Sequence, residues 1–162
     1  MSVIVVASAK GGPGKTTLAC GLGVAAARVG KRVALIDLDP LQAMSRWWEL
    51  RDGDKNPRLV TGVDDLGEAI ALLQEEGWDL IIVDTPPAPL SISFDAIAHA
   101  DLVLVPCRAS PLDVEVVALT REMAERHRRP YAFVLSQSDE TLRDEARRYL
   151  TSEDKGRVLE HG

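Results

Sequence analysis

The chain has 162 residues, 46% of them hydrophobic and 27% charged, and a formal net charge of −6. That length fits one domain with a real core and leaves no room for a second, while the acidic balance excludes a protein that coats nucleic acid over its whole surface. The apolar runs fall far short of a membrane span, and Met1-Ser2 leads straight into a strand without a signal-type segment, so a cytoplasmic protein is expected.

The first element is the apolar run Val3-Ile4-Val5-Val6, which breaks into Lys10-Gly11-Gly12-Pro13-Gly14-Lys15-Thr16-Thr17 and continues as a helical pattern from Leu18. A strand that turns through glycines into a helix lets backbone N–H groups curl around an anion, and the helix N-terminus adds the positive end of its dipole. In the P-loop pattern Lys15 reaches the β- and γ-phosphates and the Thr16 hydroxyl completes the coordination of Mg²⁺. The expected ligands are therefore a nucleoside triphosphate and Mg²⁺. The usual spacing has a glycine where this sequence has Ala9, and a second lysine, Lys10, stands at the mouth of the loop.

Leu18, Leu22, Ala25 or Ala26, and Val29 then recur at helical spacing, with Gly30 placed as a C-terminal cap. Cys20 and Cys107 have no metal-type spacing and read as buried free thiols. Val33-Ala34-Leu35-Ile36 is a continuous apolar strand of the kind buried on both faces of a parallel sheet. It ends in Asp37-Leu38-Asp39-Pro40, so two carboxylates emerge where open α/β sheets bind ligands, and alternation turns both the same way. Residues 43–50 form a short helix whose adjacent Trp47 and Trp48 cannot share one face; one is expected to pack and the other to stay partly exposed. Residues 51–57 read as a surface loop.

Leu59-Val60 is a short strand, and Asp64-Asp65 caps an amphipathic helix carrying Leu66, Ile70 and Leu73 that ends near Gly77. Leu80-Ile81-Ile82-Val83-Asp84 is an apolar strand that delivers one carboxylate at its tip, the arrangement of a Walker B strand. Pro86, Pro87 and Pro89 stiffen the loop behind it, where P-loop enzymes carry a segment sensitive to the γ-phosphate. A helix over 91–99 and the strand Leu102-Val103-Leu104-Val105-Pro106 follow. A longer helix has Leu112, Val116, Leu119 and Met123 on one face and Ser110-Pro111 as its cap. Its far end carries Arg121, Arg126, His127, Arg128 and Arg129, a run that is either a solvated face favoured by the helix dipole or a contact for nucleic-acid phosphates.

Tyr131-Ala132-Phe133-Val134-Leu135 is a fifth strand. A polar helical segment with Leu142, Ala146, Tyr149 and Leu150 on one face and Arg143, Arg147 and Arg148 among its charges follows it. Residues 1–150 are thus expected to form a single domain and 151–162 a polar tail that frays. Strands alternating with helices give an α/β, doubly wound fold with a mainly parallel sheet and helices on both faces.

Residues 10–17, Asp37-Leu38-Asp39-Pro40 and Ile81-Ile82-Val83-Asp84-Thr85-Pro86-Pro87, in that order, resemble the ParA/MinD-type P-loop ATPases with a deviant Walker A loop, and most of all the small ParA-type partition ATPases. Trp47 and residues 106–113, with Ser110-Pro111-Leu112-Asp113, share the likeness, which runs from residue 1 to about 135. The resemblance implies a cofactor-binding set of Lys10, Gly11, Gly12, Pro13, Gly14, Lys15, Thr16 and Thr17. It implies a catalytic set of Lys10, Lys15 and Asp39, in which Lys10 crosses to the partner subunit's ATP and Asp39 positions the attacking water. Thr16, Asp37 and Asp84 would serve the metal, the aspartates through water. A slow ATPase follows, which dimerises on ATP, holds non-specific DNA as a dimer, and is stimulated by a ParB-like or adaptor protein, with no membrane partner.

Three departures from the family pattern stand out. Pro13 removes a backbone donor from the loop, which predicts a loss of nucleotide affinity on the order of tenfold at most. Leu41 replaces the glutamine that usually follows the Asp-x-Asp-Pro turn, with Gln42 next to it. Relatives continue past the fifth strand with a further strand and a closing helix, where this sequence reads as a polar tail. Other readings of the same motifs are a MinD-like membrane-positioning ATPase, a metabolic ATP-dependent synthase, and a nucleotide-responsive module without hydrolysis. The first calls for a basic amphipathic C-terminal helix, whereas this chain ends in Glu160-His161-Gly162. The second calls for an added substrate pocket.

Overall fold

The computed structural model describes residues 1–51, 56–87, 90–108, 111–136 and 157–159, the side chains of 111–116 and 157–159 excepted. In chain order the elements are β1 (Ser2–Val6), α1 (Lys15–Arg28), β2 (Val33–Asp37), α2 (Ala43–Glu49), β3 (Arg58–Val60) and α3 (Leu66–Glu75). They continue with β4 (Leu80–Asp84), α4 (Ser91–His99), β5 (Leu102–Arg108), α5 (Pro111–Arg126), β6 (Tyr131–Ser136) and β7 (Arg157–Leu159). The strands form one seven-stranded sheet in the order β3-β2-β4-β1-β5-β6-β7, and each of its strand pairs is parallel. This is the doubly wound α/β fold the sequence predicts.

Parallel strands need crossovers, and the helices that supply them cover both faces of the sheet. Val3, Val5, Ala34, Ile36, Ile81 and Val83 face one core with Leu66 and Leu73 of α3, Ala96 and Ile97 of α4 and Val117 and Ala124 of α5. The alternate residues Val6, Val33, Leu35 and Ile82 face a second core with Ala19 and Cys20 of α1 and Met44 of α2. Cys20 and Cys107 are both buried free thiols, and burial pushes the Cys20 thiol up to about 12.

The sheet-facing side of α1 is Lys15, Ala19, Cys20 and Gly23, not the stripe of larger residues expected from spacing; Val29 is 76% exposed. The reason is close packing: a Cβ on Gly23 would lie 2.9 Å from Leu35 Cδ2, so small residues must face β2 while Leu18, Leu22 and Ala26 lean on the core's rim. Gly30 does cap α1, at φ +84°, with its N–H on the Ala27 carbonyl and the Lys31 N–H on the Ala26 carbonyl. In α5 Met123 is buried as expected, but Leu119 is exposed, and Val117, Thr120 and Ala124 are buried in its place. Asp65 caps α3 by accepting from the Glu68 N–H at 2.9 Å.

Within 151–162, where fraying was expected, the described residues form β7, paired with β6 from Ala132↔Arg157 to Val134↔Leu159. The Val-Leu pair there finds the open edge of β6, which the polar residues around it conceal in the sequence. The helix expected around residues 142–150, together with Pro89 and Ser110, lies outside the described residues.

Both tryptophans of α2 are half-buried. Trp48 Nε1 donates to the Pro57 carbonyl at 2.8 Å, whereas Trp47 packs under the Arg51 guanidinium, 5.1 Å from its ring centre. No helix among the described residues is long and apolar enough to cross a membrane.

Candidate functional site

The chain leaves β1 toward β2 and β3 on one side, returns through β4, and then departs to β5, β6 and β7 on the other. That reversal opens a crevice at the C-terminal end of β1, the position where open α/β sheets bind ligands. The loop after β1 occupies it. Gly12 and Gly14 take φ of +87° and +94°, a conformation that side chains other than glycine rarely adopt. The loop runs into α1, whose first N–H groups have no acceptor within the helix.

Under this loop the strand tips come together. Val6, Asp84 and Asp37 lie on neighbouring strands in register. Thr16 Oγ1 donates to Asp84 Oδ2 at 2.6 Å, which ties the start of α1 to the tip of β4. Asp84 Oδ1 is buried and has no hydrogen-bond partner among the described residues. Burial pushes the Asp84 carboxyl up to about 6, aided by the charges of Asp37 and Asp39 and opposed by Thr16 and Lys15.

Lys15 is 6% exposed, and its Nζ donates to the Lys10 carbonyl at 3.1 Å. Burial lowers its pKa from the ordinary lysine value, while Asp84 and Asp39 pull it back. The structure therefore places Lys15, Thr16, Asp37, Asp39 and Asp84 in one electrostatic cluster at the sheet's C-terminal edge. A lysine and a carboxylate buried this deeply are costly unless they are paired or serve a ligand, and perturbed groups of this kind cluster at functional sites.

The two aspartates after β2 are held differently. Asp37 Oδ2 accepts from the Ser45 N–H at 3.0 Å and from Ser45 Oγ at 2.9 Å, and its Oδ1 accepts from the Asp39 N–H at 3.2 Å. Asp39 Oδ1 accepts from the Leu41 N–H at 2.9 Å, and its backbone carbonyl takes the Gln42 N–H. Asp39 is half-buried, and Pro40, Leu41 and Gln42 are exposed.

The donor set fits Mg²⁺. An orphaned carboxylate oxygen and a neighbouring hydroxyl offer hard oxygen ligands, and Mg²⁺ typically takes few protein ligands and completes its shell with water and phosphate. The described residues contain no group of three or more His, Cys, Asp or Glu that could hold a metal ion by themselves.

Residues 4–89 match the CobQ/CobB/MinD/ParA nucleotide-binding domain. The chain belongs to that family. Among its relatives, the chromosome-partitioning ATPase Soj of Thermus thermophilus is 34% identical over 144 residues, covering 71% of this chain and 58% of Soj. The maintenance of carboxysome distribution protein A of Gloeobacter kilaueensis is 36% identical over 128 residues, covering 73% of this chain and 54% of that protein. The chain thus spans little more than half the length of these two relatives. In fold, it is similar to cobyrinic acid a,c-diamide synthase from Mycobacterium smegmatis with a bound ATP analogue and magnesium. There the TM-score is 0.77 at 21% identity, over 98% of this chain and 85% of that one. Nucleotide-binding ATPases of the ParA/MinD type are therefore the group in which the site has to be read.

Sequence reasoning missed the side chains that brace the loop from outside. The Ala9 N–H donates to Thr120 Oγ1 at 3.2 Å, Arg108 Nη2 to the Gly12 carbonyl at 2.7 Å, and Ser136 Oγ to the Pro13 carbonyl at 2.8 Å. One signal was available: Arg108 and Ser136 are the first polar residues after long apolar strands, where a parallel sheet turns its tips toward the ligand.

Proposed function

We propose that the chain is an ATP-dependent dimerising switch of the ParA type that binds ATP with Mg²⁺, hydrolyses it slowly, and as a dimer holds DNA or another large cargo. The observation that carries this reading is the buried Lys15–Thr16–Asp84 cluster beneath a positive-φ glycine loop, with Asp39 close enough to act on the Lys15 charge.

On this reading, Gly11, Gly12, Gly14 and Thr17 offer backbone N–H groups, and Lys15 leaves the Lys10 carbonyl for the β- and γ-phosphates. Thr16 and Asp84 hold the metal's side of the site, with Asp37 behind them. Mg²⁺, when bound, neutralises charge developing on the phosphate oxygens. Asp39 orients the attacking water, and Lys10 reaches across to the partner's nucleotide. No covalent intermediate is needed, since positioning and charge supply most of the catalysis of phosphoryl transfer.

If DNA is the cargo, the basic end of α5 is the surface to consider. Arg126 and Arg128 are exposed there, Arg126 beside Glu122 at 3.5 Å. Arg129 is half-buried and spends a guanidinium N–H on the Ala98 carbonyl, so DNA contact would fall to the first two. That end lies at the N-terminal edge of the strands, opposite the nucleotide loop, so a face-to-face dimer would leave it open.

The test is sizing of the chain with ADP and then with a slowly hydrolysed ATP analogue, with and without DNA. A monomer with ADP and a dimer that co-elutes with DNA under the analogue are expected. An unchanged size in both nucleotides would overturn the switch.

A further inference from the structure

The loop after β1 leans on a wall that β1 does not build. Leu104 of β5 pairs with Val6, the last residue of β1, and β5 then runs on to Arg108, so it outruns β1 by roughly 13 Å at strand rise. β6 runs beside it, with Arg108 and Ser136 in register at the far end. Both end residues turn to the loop: Arg108 Nη2 takes the Gly12 carbonyl at 2.7 Å, and Ser136 Oγ takes the Pro13 carbonyl at 2.8 Å. The Ser136 hydroxyl also stands 3.3 Å from the Cys107 carbonyl, but its single proton serves the shorter contact.

These two contacts fix the peptide planes on either side of Pro13. The described residues have a cis peptide only at Asn56-Pro57, so the Pro13–Gly14 plane is trans, with its C=O and N–H pointing opposite ways. With the carbonyl drawn to Ser136, the Gly14 N–H is turned away from β6. The Gly12–Pro13 plane has no N–H to offer, and its carbonyl is where the Arg108 charge sits. A Cβ at Gly12 would come 3.1 Å from Arg108 Nη2, so the guanidinium packs tightly on a position whose φ of +87° already calls for glycine. Pro13 itself is buried, and its ring removes a further degree of freedom.

We propose that Arg108 and Ser136 are positioning residues for the nucleotide's phosphates, acting as a clasp that sets the Gly12–Gly14 backbone before nucleotide arrives. It rests on the nucleotide site proposed above and deepens it. The clasp explains how a loop can lack the residue-13 donor: the loss of one N–H is offset by a backbone that has little ordering left to do on binding.

The test uses the full chain and a fluorescent ATP or ADP analogue with Mg²⁺, together with melting of the nucleotide-free protein. Ser136→Ala is expected to raise the dissociation constant about tenfold, the cost of ordering about one released loop residue on binding, and Ser136→Thr to restore it. Arg108→Gln is expected to cost on the order of tenfold or more, because a charge-assisted contact holds the loop more firmly and its loss frees more backbone to be reordered on binding, with Arg108→Lys recovering part of the loss. Melting without nucleotide should fall only slightly in all four, because the released loop regains the freedom that the clasp had taken from it. Should Ser136→Ala disturb folding, Arg108→Gln decides, as it leaves the core untouched. Equal affinities for the unaltered chain, Ser136→Ala and Arg108→Gln would overturn the clasp alone. So would affinity losses that merely track lowered melting, or no rescue by Ser136→Thr. An unaltered chain that binds neither nucleotide would overturn the site itself and the clasp with it.

Discussion

The loop after β1 and the loop after β2 both serve the same crevice, yet they are held in opposite ways. The first is pinned by partners far away in sequence, with separations of 111 residues for Ala9–Thr120, 96 for Gly12–Arg108, 123 for Pro13–Ser136 and 68 for Thr16–Asp84. The second is held by its own neighbours: Asp37 by Ser45, 8 residues on, and the Asp39 and Leu41 N–H groups by the carboxylates of Asp37 and Asp39, each 2 residues back. A loop locked by the whole fold suits a grip that must be ready before its ligand comes. Past the Leu38 N–H, which donates to the Asp84 carbonyl at 3.0 Å, a loop folded mostly on itself can rearrange at small cost, which would suit the γ-phosphate-sensing part of the proposed switch.

Substitution at each loop separates the two roles. Lys15→Ala acts on the locked loop and should have the largest effect, abolishing nucleotide binding in a fluorescence titration; retained binding would break the comparison at once. Asp39→Ala acts on the self-folded loop. Turnover should fall on the order of a hundredfold or more, while sizing still finds a dimer with the ATP analogue, and normal turnover would remove Asp39 from the water's position.

Asp84 sharpens the contrast through stability. Its folded pKa of about 6 lies above the ordinary carboxylate value, so the nucleotide-free fold binds this proton more tightly than the unfolded chain does. The ionised group therefore destabilises the apo protein at pH 7. Through this group stability rises as pH falls through 6 toward the ordinary carboxylate range, and is lost again as pH rises. Asp84→Asn should raise the apo melting temperature at pH 7 to 8, by no more than about 3 kcal/mol of stability, flatten that pH dependence, and remove the extra stabilisation given by Mg²⁺ with ATP. A lower apo melting temperature at pH 8 would mean that the buried carboxylate is not strained.

The same contrast decides what could be read from the chain. The self-folded loop was legible as Asp37-Leu38-Asp39-Pro40 at a strand tip, because its turn chemistry is local. The glycines, Lys15, Thr16 and Asp84 were legible because their spacing follows strand and helix geometry. Arg108 and Ser136 were legible only as polar residues at strand tips, and Thr120 not at all, since their partners lie about 100 residues away and only the strand order of the sheet brings them together. The α1 stripe misled for a related reason: periodicity finds the larger apolar residues, while the distance to β2 admits only Ala19, Cys20 and Gly23. β7 escaped because three residues carry too little pattern, and the open edge of β6 that recruits them is a property of the assembled sheet.

The Ala9–Thr120 bond has a last consequence. The Ala9 N–H lies where the chain leaves β1, but its acceptor belongs to α5, 111 residues further along the chain. Its proton is released to solvent when either the loop opens locally or α5 lifts from the sheet, so slow exchange of that one amide also reports on the docking of a helix to which it does not belong.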